Sequence, residues 1–447
     1  MSPARQSKPA RNRSDVSLWL WSIAAGLFVA IAILKISTPA ILSDLVEPPQ
    51  DLVQWLFFSW PNTIGYGLLA ALAITSIRSL RNNTRAPRWL LCLPILWLVW
   101  QILSTAGSIN LALTRATLAH FTSVIILFYL GYFALSRIPD LKGFRITVLG
   151  GFVFVIWAGM EQHFGGLQAT REMIYADPNW QSLPPEYLEK IGKDRIFSTL
   201  FYPNAFAGGL ILLTPLCCLT LWHLTDRLQI PSRLLIVGIM VSACLACLVW
   251  TESKSGWLVS LAMGLAYAMQ SRLPKWLKTA TLLLLVIGGL AGFFWKYSDY
   301  FSRGATSVAA RFEYWRAAWS TACSHPLFGS GPGTFMKAYA KIKPPEAEMA
   351  RLAHNDYLQQ ASDGGFLSAI VYTGFIWSSL LLTRRRALAD PIRMAIWFGL
   401  LGFALQGFVE FGLYVPALAW TAFLLLGWLL GQGTGVESTT SPQPESP

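Results

Sequence analysis

Five polar residues, far apart in the chain, could do chemistry together: Arg195, Asn204, Lys254, Arg311 and His354. Histidine titrates near neutrality, so His354 can take the proton of an attacking hydroxyl. Arg195, Lys254 and Arg311 could supply fixed positive charge, which stabilises a departing pyrophosphate in a transition state. Each residue also has a plainer role. Lys254 lies in TESK, a four-residue turn between two apolar runs, where it either pairs with Glu252 and snorkels or binds an anion. Arg195 and Arg311, taken singly, fit surface ion pairs at helix ends. Asn204, in FYPNAFAGG, serves as readily as a helix N-cap as it would as a ligand. Among five histidines, His325 precedes Pro326 and reads as a helix end. His354 opens an amphipathic stretch beside Asn355 and Asp356. Asp356 and Asp363 are near it in sequence, but the carboxylates show no convincing metal spacing. No metal or other cofactor is expected.

The elements that must position these groups are apolar. The chain has 447 residues, 54% hydrophobic and 13% charged, with 20 Trp, a composition suited to lipid rather than water. Roughly 20 apolar residues span a bilayer. About twelve such runs centre near Ala25, Leu69, Leu98, Ile126, Val155, Leu212, Ile239, Leu261, Leu285, Tyr372, Gly402 and Leu424. The expected fold is therefore all-α and integral to a membrane, with a helical periplasmic loop between spans nine and ten. The expected boundaries are a cytoplasmic tail over 1–16, spans one to nine over 17–297 with a loop near 162–202, a large loop over 298–363, spans ten to twelve over 364–432, and a disordered tail over 433–447.

Charge gives the orientation. With the N-terminus inside, the inner loops collect 20 of the 35 Lys and Arg residues but only 6 of the 23 acids. Both termini should be cytoplasmic and both long loops outside. The net charge of +12 is thus a topology signal, and no basic stripe suggests nucleic acid as a partner. Cys244 and Cys247 form a CxxC inside an apolar run with no second pair, which reads as packing.

Within the large loop, Arg311, Trp315, Ala318 and Trp319 recur at helical spacing, and His325-Pro326 should end that helix. GSGPG then makes a tight turn. It lacks the GK[ST] ending of a phosphate loop. A second amphipathic helix is expected over Glu346 to Arg351, and a third from near His354 through Tyr357, Leu358 and Ala361 into the next span. The segment DLVEPPQDLVQWLFFSW, from Asp44 to Trp60, reads as interfacial.

Taken in order, RFEYWRAAWSTACSHPLFGSGPGTF and HNDYLQQASDGG resemble the signature of the O-antigen ligase and polymerase superfamily. RIFSTLFYPNAFAG and TESKSGWL resemble its two upstream blocks. The resemblance implies a membrane glycosyltransferase of the bacterial inner membrane that takes a glycan from undecaprenyl pyrophosphate at the periplasmic face, without metal or nucleotide sugar. It implies that Arg311 and Lys254, with Arg195 at a less diagnostic position, bind pyrophosphate and that His354 is the base. Asn355, Asn204 and Asp363 would support them. Lys254 stands where the family usually has Arg, which keeps the charge but loses the bidentate fork. Asp363 replaces the commoner Glu.

Three acceptors fit the resemblance, the lipid A core, a growing polysaccharide and a protein Ser/Thr, and the sequence does not choose between them. A transporter of small solutes, from another class, would need ionisable groups at mid-membrane and related halves. Glu410, at the end of a span, is the nearest such group. A non-catalytic scaffold of an envelope assembly is the third reading.

Overall fold

The computed structural model describes residues 13–77, 86–176, 180–182, 188, 192–200, 202–270, 274–298, 306–345 and 347–432. Most of the expected N-terminal tail, the whole C-terminal tail 433–447, and parts of both long loops lie outside the described residues, as does Glu346.

Among the described residues the secondary structure is helical, with no strand. The first seven helices are α1 (Arg13–Lys35), α2 (Leu52–Phe57), α3 (Asn62–Ser76), α4 (Arg88–Leu103), α5 (Leu111–Phe133), α6 (Lys142–Glu161) and α7 (Leu167–Ala176). Four more follow: α8 (Pro203–Leu224), α9 (Ile230–Trp250), α10 (Lys254–Gln270) and α11 (Lys275–Lys296). The rest are α12 (Thr306–Ser324), α13 (Phe335–Ile342), α14 (Asp356–Ala387), α15 (Pro391–Gln406) and α16 (Pro416–Gly431).

A helix covers every one of the twelve expected centres. Among the described residues, eight segments are long and apolar enough to cross a membrane: α1, α4, α5, α6 running on into α7, α8, α9, α11 and α14. The helices α3, α15 and α16 are apolar but shorter. This is a multi-pass, all-helical membrane protein.

The core is built around α16, every residue of which is buried. It packs against α5 with the backbones almost touching. A Cβ on Gly427 would fall 1.9 Å from the Phe128 carbonyl oxygen, and one on Gly131 would fall 2.1 Å from that of Leu424. Small residues allow this approach, which is how helices gain packing energy where no hydrophobic force drives them together. α1 packs on α6, α15 on α8 and α14 on α4 around this centre. By contrast α11 packs mainly against α10 and leaves most of its apolar surface, including Trp276, Leu284 and Trp295, exposed.

The long loops differ from expectation in two places. After α6 the chain kinks at Phe164 and Gly165, where Gly165 has φ +130°, and re-enters helix at once as α7, so that the segment from 162 is not an open loop. Residues 192–200 return as non-helical chain, anchored where Gln162 Oε1 accepts from the Phe197 and Ser198 amides. In the second loop the short amphipathic helix is α13, over Phe335–Ile342, whereas residues 347–353 are not helical. Pro344 and Pro345 close the helix that begins after the glycine turn, because proline disfavours helix at the residue before it. Phe335, Ala338 and Tyr339 of α13 bury against Tyr314, Ala317 and Ala318 of α12. Trp319, expected on the same face, is 54% exposed.

α14 starts where Asn355 caps it, its side chain accepting from the Leu358 amide at 3.0 Å. It breaks at Gly365, whose φ is +76° and whose missing Cβ leaves room for the Leu327 carbonyl. The glycine turn docks into that break: Ser330 and Gly331 donate their amides to the carbonyls of Ser362 and Asp363, each at 2.9 Å.

Candidate active site

Three connections and the helix α12 meet at one end of the bundle, and each delivers one part of a polar cluster. The chain entering α8 brings Arg195 and Asn204, and the α9–α10 turn brings Glu252 and Lys254. The helix α12 brings Arg311 and Tyr314, and the residue before the Asn355 cap is His354. These side chains, with Ser307, Ala310 and Glu348, line a cavity of about 210 Å³.

The floor of the cluster is Glu410, in the connection after α15, which is only 2% exposed. Its Oε1 accepts from Arg311 Nη2 at 2.5 Å, from Asn204 Nδ2 at 2.7 Å and from Ser255 Oγ at 3.3 Å. Its Oε2 faces His354 Nδ1 at 3.2 Å. Burial alone would raise this carboxyl, but the Arg311 charge and the His354 contact outweigh it and hold it below the usual carboxylate range.

Arg195 is fixed on two sides, donating Nε to the Thr251 carbonyl at 2.9 Å and Nη2 to Asn204 Oδ1 at 3.0 Å. Asn204 therefore links Arg195 to Glu410 and is not the cap of α8, a position held by Tyr202, because both ends of its side-chain amide are taken up by Arg195 and Glu410. Its own carbonyl accepts from Gln406 at 3.0 Å, which ties α8 to the end of α15.

Lys254 follows a turn in which Glu252 adopts φ +52°, an uncommon conformation for a non-glycine residue. Its ammonium lies 4.9 Å from the centre of the Tyr297 ring. Burial pushes Lys254 down to about 8, with the Arg195, Arg311 and Lys296 charges adding to the shift and Glu252 opposing it. A half-buried ammonium among like charges is poised to gain from an arriving anion.

His354 also has a positive φ, +50°. Its carbonyl accepts from Trp315 Nε1 at 3.3 Å, and its ring sits between Tyr314, stacked at 6.0 Å, and Phe411, edge-on at 4.7 Å. Nε2 takes no hydrogen bond from the described residues. Burial pushes the Tyr314 hydroxyl up to about 12, so Tyr314 stays a neutral donor.

Of the residues singled out from sequence, Arg195, Asn204, Lys254, Arg311 and His354 line one cavity. Asn355 lies beside it as the cap of α14. Asp363 lies elsewhere: it is fully buried under the glycine turn, and its Oδ2 accepts from the Gly333 amide, Gln359 and Tyr414. Glu410 was the residue that motif reading passed over as a site member. Its signal was a lone acid in the apolar run QGFVEFGLY, costly to bury unless paired. Among the described residues, no three His, Cys, Asp or Glu side chains group as a metal site.

No curated protein matches the chain. Residues 239–373 match the model of a family described as O-antigen ligase, a segment that takes in Lys254, Arg311, His354, Asn355 and Asp363 and leaves Arg195, Asn204 and Glu410 outside it. The resemblance read from the motifs is thereby borne out over residues 239–373, which are similar to the O-antigen ligase family.

Proposed function

We propose that the protein is a membrane glycosyltransferase that moves a glycan from undecaprenyl pyrophosphate to an acceptor hydroxyl of the lipid A core, at the periplasmic face of the bacterial inner membrane. The observation that carries this reading is the cavity itself, where three cationic side chains from three separate parts of the chain face the same space as His354. The family match supports glycosyl transfer in general.

In the proposed step, His354 Nε2 takes the proton of the acceptor hydroxyl as its oxygen bonds to the anomeric carbon. The bond from that carbon to the pyrophosphate oxygen breaks, and the electron pair leaves with the pyrophosphate. Arg195, Lys254 and Arg311 receive the growing negative charge. Because two of the three are held by hydrogen bonds before substrate arrives, little reorganisation is needed at the transition state. The excess of inner-loop Lys and Arg supports a periplasmic cavity with both termini in the cytoplasm.

The test incubates purified protein with an undecaprenyl-pyrophosphate glycan and, in separate reactions, lipid A core, free polysaccharide or a Ser/Thr-containing pilin, following released undecaprenyl pyrophosphate. Transfer only to lipid A core is expected. Transfer to another acceptor would correct the acceptor alone. His354→Ala should lower transfer by about 10²-fold or more, the typical worth of a general base, while still inserting in membranes. Near-normal transfer by that variant would remove His354 as the base.

A further inference from the structure

Glu410 makes contacts that the proposed reaction does not yet use. It is a buried acid whose two oxygens face different partners: Oε1 takes Arg311, Asn204 and Ser255, and Oε2 takes the His354 ring. We propose that Glu410 is the positioning residue of this site, holding His354 by its Nδ1–H so that Nε2 alone is offered to the acceptor hydroxyl. The inference rests on the reading of His354 as the base.

An ionised carboxylate only accepts, so a neutral imidazole facing it through Nδ1 must carry its proton there. Nε2 is then the lone pair. It belongs to a ring that lines the cavity, and no described group hydrogen-bonds it. The ring has little freedom to turn over, since Tyr314 and Phe411 flank it and Trp315 holds its carbonyl. When Nε2 takes a proton, the resulting imidazolium lies against a fixed negative charge. The same carboxylate orients Arg311, so the group that receives the leaving pyrophosphate and the group that takes the proton are set by one side chain.

The two faces of Glu410 make the amide variant informative. Three donors converge on Oε1. In Glu410→Gln the carbonyl oxygen must stay with them, because an NH2 there would face Arg311, Asn204 and Ser255 donors. The NH2 then faces His354 and donates to Nδ1. That forces the opposite tautomer, with the proton on Nε2, where it blocks base catalysis. Glu410→Asp keeps the charge and the wild-type tautomer but shortens the reach.

The experiment labels histidine with ¹⁵N in the full-length protein in nanodiscs and reads the tautomer of His354, assigned by the signal missing from His354→Ala. The same samples are assayed for release of undecaprenyl pyrophosphate from the lipid-linked glycan with lipid A core. The wild type should show Nδ1–H and the glutamine variant Nε2–H. In the glutamine variant kcat should fall about 10²- to 10⁴-fold, the range seen when an acid that orients a catalytic histidine becomes an amide, with donor KM changing far less. The aspartate variant should recover part of kcat. An Nε2–H tautomer in the wild type overturns the inference without any variant. So does a glutamine variant with kcat within about threefold of wild type. Retained transfer in His354→Ala with the expected tautomers would instead overturn the base reading and leave the Glu410 contact standing.

Discussion

Glu410 and Asp363 are both buried acids with several hydrogen-bond partners, and the difference between their partners separates a reactive cluster from a structural one. The Asp363 oxygen meets neutral donors only: the Gly333 amide, Gln359 and the Tyr414 hydroxyl. Tyr414 in turn accepts from Gln360, whose oxygen is held by Trp97 and Gln101, and Gln101 also reaches Ser368. This network binds α4, α14 and the chain before α16 into one unit under the glycine turn. Glu410 meets one cation, Arg311, and a histidine besides the neutral donors Asn204 and Ser255, and Arg311, His354 and Asn204 line open space. Neutral donors around an acid make a closed joint. Fixed charge beside a cavity makes a place where an anion and a proton can arrive.

The contrast can be broken most directly at Asp363. Replacing it by alanine strands three buried donors, each worth about 1–3 kcal/mol when left unsatisfied. The loss of stability should be on the order of 3 kcal/mol, read as a clear drop in the thermal unfolding midpoint in detergent, with activity falling alongside. Asp363→Asn retains an acceptor for the same donors and should stay close to wild type in both measurements. If the alanine variant unfolds normally but loses transfer, Asp363 belongs with the reactive cluster and the contrast fails.

Much of this was legible in the sequence, for physical reasons that differ by element. Apolar runs near 20 residues gave the helices because lipid leaves the backbone few alternatives. Ser-His-Pro marked the end of α12, whereas the cap expected at Asn204 falls to Tyr202 and the cap made by Asn355 emerged only with the fold. Lys254 stands out because charge is costly near lipid, while its grouping with Arg195, Arg311 and His354 follows from the charge and base that pyrophosphate departure needs and from the motif resemblance. Other features needed the fold. Arg311 and Glu410 lie 99 residues apart and share no local pattern, so only packing shows that one carboxylate serves Arg311, Asn204 and His354. Asp363 sat beside the histidine block in sequence but points under the glycine turn. The helix expected over 346–351 lies earlier, at Phe335–Ile342, because burial of Phe335 and Tyr339 against α12 outweighed the amphipathic spacing of the later charged segment.

Lys254 gives the finest probe of the reactive side, because its charge is conditional where those of the arginines are not. Burial and the neighbouring cations bring it down to about 8. Its ammonium is therefore present below that pH and is lost as pH rises through it, while Arg195 and Arg311 remain charged. The donor KM of the wild type should rise between pH 7 and pH 9 as one of three cations disappears. A change of about tenfold corresponds to roughly 1.4 kcal/mol of differential interaction. Lys254→Arg should keep activity and flatten that rise, whereas Lys254→Ala should show the weak binding at every pH. A wild-type KM that stays level across this window, with an unimpaired alanine variant, would make Lys254 a snorkelling residue stacked on Tyr297 and leave the anion site to the two arginines.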